Sequence, residues 1–195
     1  MDETKTVKKA SSSAYYIRII GTLFAITAIV AVLLAGVNAL TKGPIAHHAE
    51  ETKAQAIAQV MPGADGFETL ATPQGEGMEN VTEILLAKKG DETLGYCVQT
   101  STNGNDGAIA LMVGVDQSGA VTSVSILSQK ETMYVNKHGE LIARFPGKSG
   151  SVALSQDGGD IVAISGATIT SRAVTRGVDS ALQAANFYLE KGGAQ

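Results

Sequence analysis

Residues 160–171 read DIVAISGATITS. A short apolar run meets a glycine, then a cluster of hydroxyls, then a long amphipathic stretch. The apolar run Asp160–Ile164 has strand length. From Arg172 to Lys191 the pattern is helical: Val174, Val178, Leu182 and Ala185 fall on one stripe, with Ala181 and Leu189 beside it. Arg172, Arg176, Asp179 and Gln183 take other directions, and Gly192-Gly193 ends the element. The segment therefore predicts a strand–turn–helix junction with Gly166 at the turn. Two roles are open to it. Thr170 or Ser171 caps the helix, or the free N–H groups and positive dipole end of the helix hold an anion such as a phosphate, bound ionically or esterified to a hydroxyl.

Upstream, the apolar and polar alternation predicts β structure. Thr82–Lys88 and Thr93–Thr100 flank a KGDE turn, and Ala108–Val115 and Ala120–Leu127 flank DQSG. Two hairpins joined by the polar loop 101–107 predict a four-stranded antiparallel meander. In 121–127, alternation puts Val121, Ser123, Ser125 and Leu127 on one face and Thr122, Val124 and Ile126 on the other. A short helix is expected near Leu141–Phe145. The stretch 146–151, PGKSGS, matches part of a P-loop, but that motif needs a glycine at position 142, where this chain has Ile142. It reads as a loop.

The N-terminal part belongs to a different solvent. Ile19–Val37 carries no charge and no proline. Nineteen helical residues at about 1.5 Å each span roughly 28 Å, close to the thickness of a bilayer core. A signal peptide has a shorter apolar core of about 7–15 residues. The segment predicts one transmembrane helix, with Tyr15 and Tyr16 at its edge and Arg18 reaching for the headgroups. Lys5, Lys8, Lys9 and Arg18 precede the span and Lys42 follows it, so the N-terminus is expected in the cytoplasm. The first 42 residues hold five basic and two acidic side chains, a balance of +3. The formal net charge of the chain is −4, which leaves the remainder at −7. No basic surface argues for nucleic acid. Gly43-Pro44 is expected to break or kink the chain, residues 45–60 to form a helix, and Met61-Pro62-Gly63 to end it. The expected organisation is a basic N-terminus over 1–18, a membrane span over 19–40, a linker helix over 41–65 and an extracytoplasmic domain over 66–195. Cys97 is the single cysteine, so an intrachain disulfide is excluded and a cysteine-ligated cluster or Zn site would need more thiolates; it reads as a small buried hydrophobe. His47 and His48 are adjacent and point about 100° apart on a helix, which does not favour a shared metal.

The chain resembles the FMN-binding domain family. The resemblance rests on S-G-A-T at Ser165–Thr168 followed by Thr170-Ser171, and on Pro62-Gly63-Ala64 after the Ala-rich helix. Further motifs are GAIALMVGVD from Gly107 to Asp116, VTSVSILS from Val121 to Ser128, and Glu131-Thr132. It covers nearly the whole chain. It implies an α+β domain, an antiparallel sheet with flanking helices, behind one transmembrane helix. It implies FMN carried covalently on Thr168 through a phosphoester, with Ser165, Gly166, Ala167, Thr170, Ser171, Glu131 and Thr132 as further cofactor-binding residues. The domain occurs in the G subunit of the Rnf ion-translocating oxidoreductase and in the C subunit of the sodium-pumping NADH:quinone reductase; the short length here favours the Rnf type. Implied partners are the other subunits of such a complex, passing electrons between ferredoxin and NAD with Na⁺ or H⁺ translocation, and a Mg-dependent transferase that attaches the flavin from FAD. No catalytic residue and no metal site is implied; the protein reads as an electron carrier.

Two positions depart from the family pattern. Val162 stands where an acidic residue is usual, with Asp160 two residues earlier. Met133-Tyr134-Val135-Asn136 follow Glu131-Thr132 in place of P-G-L-G. Competing readings are a lone membrane-anchored FMN-binding electron-transfer protein of another chain, and a non-redox extracytoplasmic binding domain in which SGATITS only starts a helix.

Overall fold

A computed structural model of the chain describes residues 12–73, 75–132 and 137–192. The chain forms two units, one up to His48 and one from Ala49 onward. Helix α1, Ser12–Val60, supplies all the described part of the first and begins the second. In the first unit, Ile19, Leu23, Phe24, Leu33, Leu34 and Leu40 are all exposed. The helix is long and apolar enough to cross a membrane by length and composition. Thr22, Thr27 and Thr41 turn their hydroxyls back onto carbonyls one turn earlier, at 2.8–3.1 Å. That satisfies each hydroxyl without water, as a hydrocarbon solvent requires. Gly43-Pro44 does not break α1. A proline removes one helix hydrogen bond, and here the helical backbone continues through it. The helix ends at the expected Met61-Pro62-Gly63, with Gly63 at φ +94°.

The second unit is built on a five-stranded antiparallel sheet in the order β1 (Gly66–Leu70), β2 (Val81–Lys89), β3 (Glu92–Asn103), β4 (Ala108–Asp116), β5 (Val121–Ser128). The four expected strands form the meander. The fifth, β1, is a short edge strand whose five residues give too little alternation to stand out. β3 also runs three residues past its expected end, because Ser101, Thr102 and Asn103 pair with Ala110, Ile109 and Ala108. Strict alternation fails in β5. The register shifts between Gly114 and Val115, which face Ser123 and Val121, so Thr122 is an extra residue in a bulge. Val121 and Val124 consequently share one core, each 2% exposed, and Leu127 packs on the opposite face.

After β5 come a short helix α2 (His138–Ile142) and helix α3 (Thr168–Glu190). α3 lies across β3, β4 and β2 and closes the main core, with Val174, Val178, Ala181, Leu182 and Ala185 all fully buried. Gly177 allows this approach: a Cβ there would stand 2.9 Å from Leu111 Cδ1 and 3.0 Å from Thr100 Oγ1. Residues 49–60 cover the other sheet face through Ala56 and Val60, against Leu85, Ala87, Cys97 and Met112. The domain is thus a sheet between two helices. The DIVAI segment is not a strand. Ile161 makes one bridge to Leu154, and the remainder is extended chain. Its apolar residues are explained by burial of Ile161 and Ile164, not by sheet pairing.

Candidate functional site

The junction is tighter than its sequence suggests. Ile164 is buried, and its carbonyl accepts the N–H of Ala167 at 3.0 Å, closing a turn. Gly166 sits inside that turn at φ +81°, a conformation that a side chain would strain. Helix α3 then begins at Thr168, four residues before the apolar periodicity becomes visible. Ala167 is the residue before the helix and offers no side-chain cap. Neither Thr170 nor Ser171 is a cap, because both already lie in the first turn. Ser171 N–H makes the first helical bond, to Ala167 O at 2.8 Å, and Ser171 Oγ accepts the N–H of Ile164 at 3.0 Å. The N–H groups of Thr168, Ile169 and Thr170 are left without helical acceptors, at the positive end of a 23-residue helix.

A pocket of about 320 Å³ opens at this helix end. Gly166, Ala167, Thr168, Ile169 and Thr170 form one wall, and Asn105, Asp106 and Glu131 form the other. Two hydroxyls line it. Thr170 is buried, and its hydroxyl donates to Glu131 Oε2. Thr168 is half-buried, and among the described residues none bonds to its Oγ1. Thr168 therefore presents the one pocket hydroxyl that is both accessible and uncommitted.

The opposite wall is held by carboxylates. Glu131, 2% exposed, accepts the N–H of Asp106 at 2.8 Å. Asp106 Oδ2 in turn accepts both the hydroxyl of Thr132 at 2.6 Å and its N–H at 3.1 Å. The Thr132 hydroxyl, then its N–H, hold the Asp106 carboxyl below the usual carboxylate range against opposing desolvation, with a lesser contribution from Asn105.

Of the residues expected at the site, Gly166, Ala167, Thr168, Thr170 and Glu131 converge on the pocket. Three do not line it. Ser165 is exposed on the turn, Ser171 is fully buried behind the first turn, and Thr132 stands one layer out, on Asp106. Asn105, Asp106 and Ile169 line the pocket without having been expected there. The first two sit in a polar segment with no local signal beyond that of a loop. Val162 is 57% exposed, and its carbonyl accepts Arg144; Asp160 is exposed and paired with Lys148. Tyr134 lies outside the described residues.

Residues 104–183 match the FMN-binding domain. All eight lining residues fall within that match. The chain is 33% identical to the G subunit of the Na⁺-translocating ferredoxin:NAD⁺ oxidoreductase complex of Acetobacterium woodii, over 83% of this chain and 87% of that protein. It is 32% identical to the G subunit of the ion-translocating oxidoreductase complex of Escherichia coli K12, over 76% and 81%. The G subunit of the corresponding complex of Methanosarcina acetivorans is 28% identical over 88% and 95%. This chain belongs to the G-subunit family of ion-translocating oxidoreductases. Its FMN-binding domain spans β4, β5 and most of α3, and the N-terminal helix lies outside the matched domain.

The G-subunit fold fits an FMN phosphate at this point. Uncommitted N–H donors at a helix start suit an anion, the pocket stands at the lower end of the roughly 300–1,000 Å³ of cofactor sites, and Thr168 supplies an oxygen able to form an ester. The carboxylates across the pocket do not contradict this, since hydrogen-bond donors of the protein already occupy them.

Proposed function

We propose that this chain is the membrane-anchored flavoprotein subunit of an Rnf-type ion-translocating oxidoreductase, carrying FMN esterified to Thr168. One observation supports the reading above the others. The uncommitted, half-buried hydroxyl of Thr168 stands at a helix start that opens into a pocket within the FMN-binding domain. FMN, when bound, supplies one- and two-electron chemistry, and the protein supplies position and electrostatics.

Each part of the site then has a task. The N–H groups of Thr168, Ile169 and Thr170 stabilise the phosphate. Gly166 and Ala167 leave room for a transferase to reach the hydroxyl. Ile169, 55% exposed, gives the mouth an apolar edge. Attachment forms a bond from Thr168 Oγ1 to the FMN-side phosphorus of FAD and breaks its pyrophosphate bond. AMP leaves, and the hydroxyl proton goes to AMP or to solvent. No oxidation or reduction occurs in that step. Residues 19–40 span the membrane, with 1–18 cytoplasmic and the domain over 66–195 on the other side. The remaining subunits of the complex supply and remove electrons, between ferredoxin and NAD, coupled to Na⁺ or H⁺.

The test is co-expression with a flavin transferase, a denaturing gel viewed under ultraviolet light, and mass spectrometry of the peptide holding 165–171. Wild type is expected to keep its fluorescence after denaturation and to gain the mass of an FMN ester. Thr168→Ala is expected to lose both completely, and Thr170→Ser to keep both. A dark wild type beside a labelled control substrate would overturn the proposal.

A further inference from the structure

Glu131 stands out among the buried polar side chains. It is 2% exposed and pairs with no basic side chain among the described residues. A carboxyl so buried requires hydrogen-bond donors, and it has them on both oxygens. Oε1 accepts the N–H of Asp106, and Oε2 accepts the hydroxyl of Thr170. The donors come from 25 and 39 residues away, on opposite walls of the pocket. The arrangement is reciprocal, because Asp106 reaches back to the N–H and hydroxyl of Thr132, the next residue after Glu131. Gln129 Oε1 accepts the N–H of Glu131 itself at 2.6 Å. At Gly104 a Cβ would fall 2.4 Å from Glu131 Oε1, so the loop backbone lies directly against the carboxyl.

From this geometry we infer that Glu131 is a positioning residue for flavin attachment, acting through Thr170 and not as a ligand of the flavin. Both of its oxygens are taken by protein donors, on opposite sides of the carboxyl. Thr170 is two residues beyond Thr168 in the same helical turn. By fixing Thr170, Glu131 fixes the first turn of α3 against the loop 104–106, and with it the direction in which Thr168 presents its hydroxyl. The inference rests on the proposed attachment at Thr168.

The test measures the rate of covalent flavin incorporation into the full-length chain by an active transferase. Variants are Glu131→Ala, Glu131→Gln, Thr170→Val and the Glu131→Ala/Thr170→Val double. Thermal unfolding reports which of them are folded. Loss of the clasp is expected to slow incorporation by about 10- to 100-fold in Glu131→Ala and in Thr170→Val, the scale of a misplaced reacting group. Glu131→Gln keeps an acceptor for Asp106 and offers an amide donor to Thr170 Oγ1, so it should stay within about threefold of wild type. The double variant should be no slower than Glu131→Ala, since one hydrogen bond cannot be removed twice. A wild-type rate in folded Glu131→Ala, or an effect in the double equal to the product of the singles, would overturn the inference. If Glu131→Ala does not fold, Thr170→Val, which removes the hydroxyl and keeps the shape, decides alone. If wild type takes up no flavin, the attachment reading has failed, and hydrogen exchange at the Ser171 amide then tests the positioning directly. Exchange faster by about tenfold without the clasp supports it, and unchanged exchange overturns it.

Discussion

Two carboxylates organise loops in this domain, and they work over different distances in the chain. Asp116 ends β4 and serves its own turn. Its Oδ1 accepts the N–H and hydroxyl of Ser118 at 2.8 and 2.6 Å and the N–H of Ala120 at 3.1 Å. Glu131 serves residues 25 and 39 positions away. The first is a turn device, assembled wherever the sequence DQSG folds into a hairpin. The second exists only after β3, β4 and α3 have come together. A local clasp therefore stabilises the fold, while a long-range clasp carries information about where two walls of a pocket stand. Damage to each should be felt in different measurements.

The sharpest way to separate them moves Glu131 without altering it. Gly104 lies outside the left-handed region, so alanine suits its backbone. The atoms nearest its Cβ would all be side-chain atoms, Glu131 Oε1 at 2.4 Å, Ile109 Cδ1 at 2.8 Å and Glu131 Cδ at 2.9 Å. Gly104→Ala is expected to cost about 1–2 kcal/mol in urea unfolding and to slow flavin incorporation by about tenfold. A folded Gly104→Ala protein with unchanged incorporation would remove the distinction. The converse substitution is Asp116→Ala. It should lower stability by about 1 kcal/mol, read in the same urea titration, and leave incorporation within about twofold of wild type.

The smallest effect is in acid. Asp106 is held low by the Thr132 hydroxyl and N–H. For Asp116, burial works against the charge, and the donors of Ser118 and Ala120 outweigh it. A depressed carboxyl contributes its full stabilisation above the unfolded value, near about 3.9, and loses it as pH falls through the lower folded value. The hydrogen bonds that Asp106 and Asp116 accept should therefore persist at pH 5 and be lost only as pH falls below about 3.9. The chemical shifts of the Thr132 and Ser118 amides would report each midpoint. A midpoint for Thr132 above about 3.9 would show that Asp106 does not hold it.

These contrasts also explain what is legible in the sequence. The meander, the long apolar helix and the buried stripe of α3 follow from periodicity, which is local. S-G-A-T is readable through a resemblance, and Gly166 through its neighbours. The pocket's second wall is not. Asn105 and Asp106 are ordinary loop residues until Glu131 reaches the N–H of Asp106. The start of α3 is hidden for a related reason: ATIT carries no apolar period, and the turn from Ile164 to Ala167, which fixes that start, is a backbone feature. DIVAI resembles a strand because buried extended chain and sheet strand share one composition. The β5 bulge, which moves Val121 into the main core, depends on register with β4 and leaves no mark in β5 itself.

Cys97 lies at the centre of the sheet, fully buried, with burial pushing its thiol up to about 12. At neutral pH it holds almost no thiolate, and alkylating reagents have no route to it. For anyone wishing to place a probe on this protein, the natural chain is therefore already its own blank. A cysteine introduced at an exposed position such as Val162 would be the single reactive site, and spin-label or fluorophore distances could be measured without first removing a core residue.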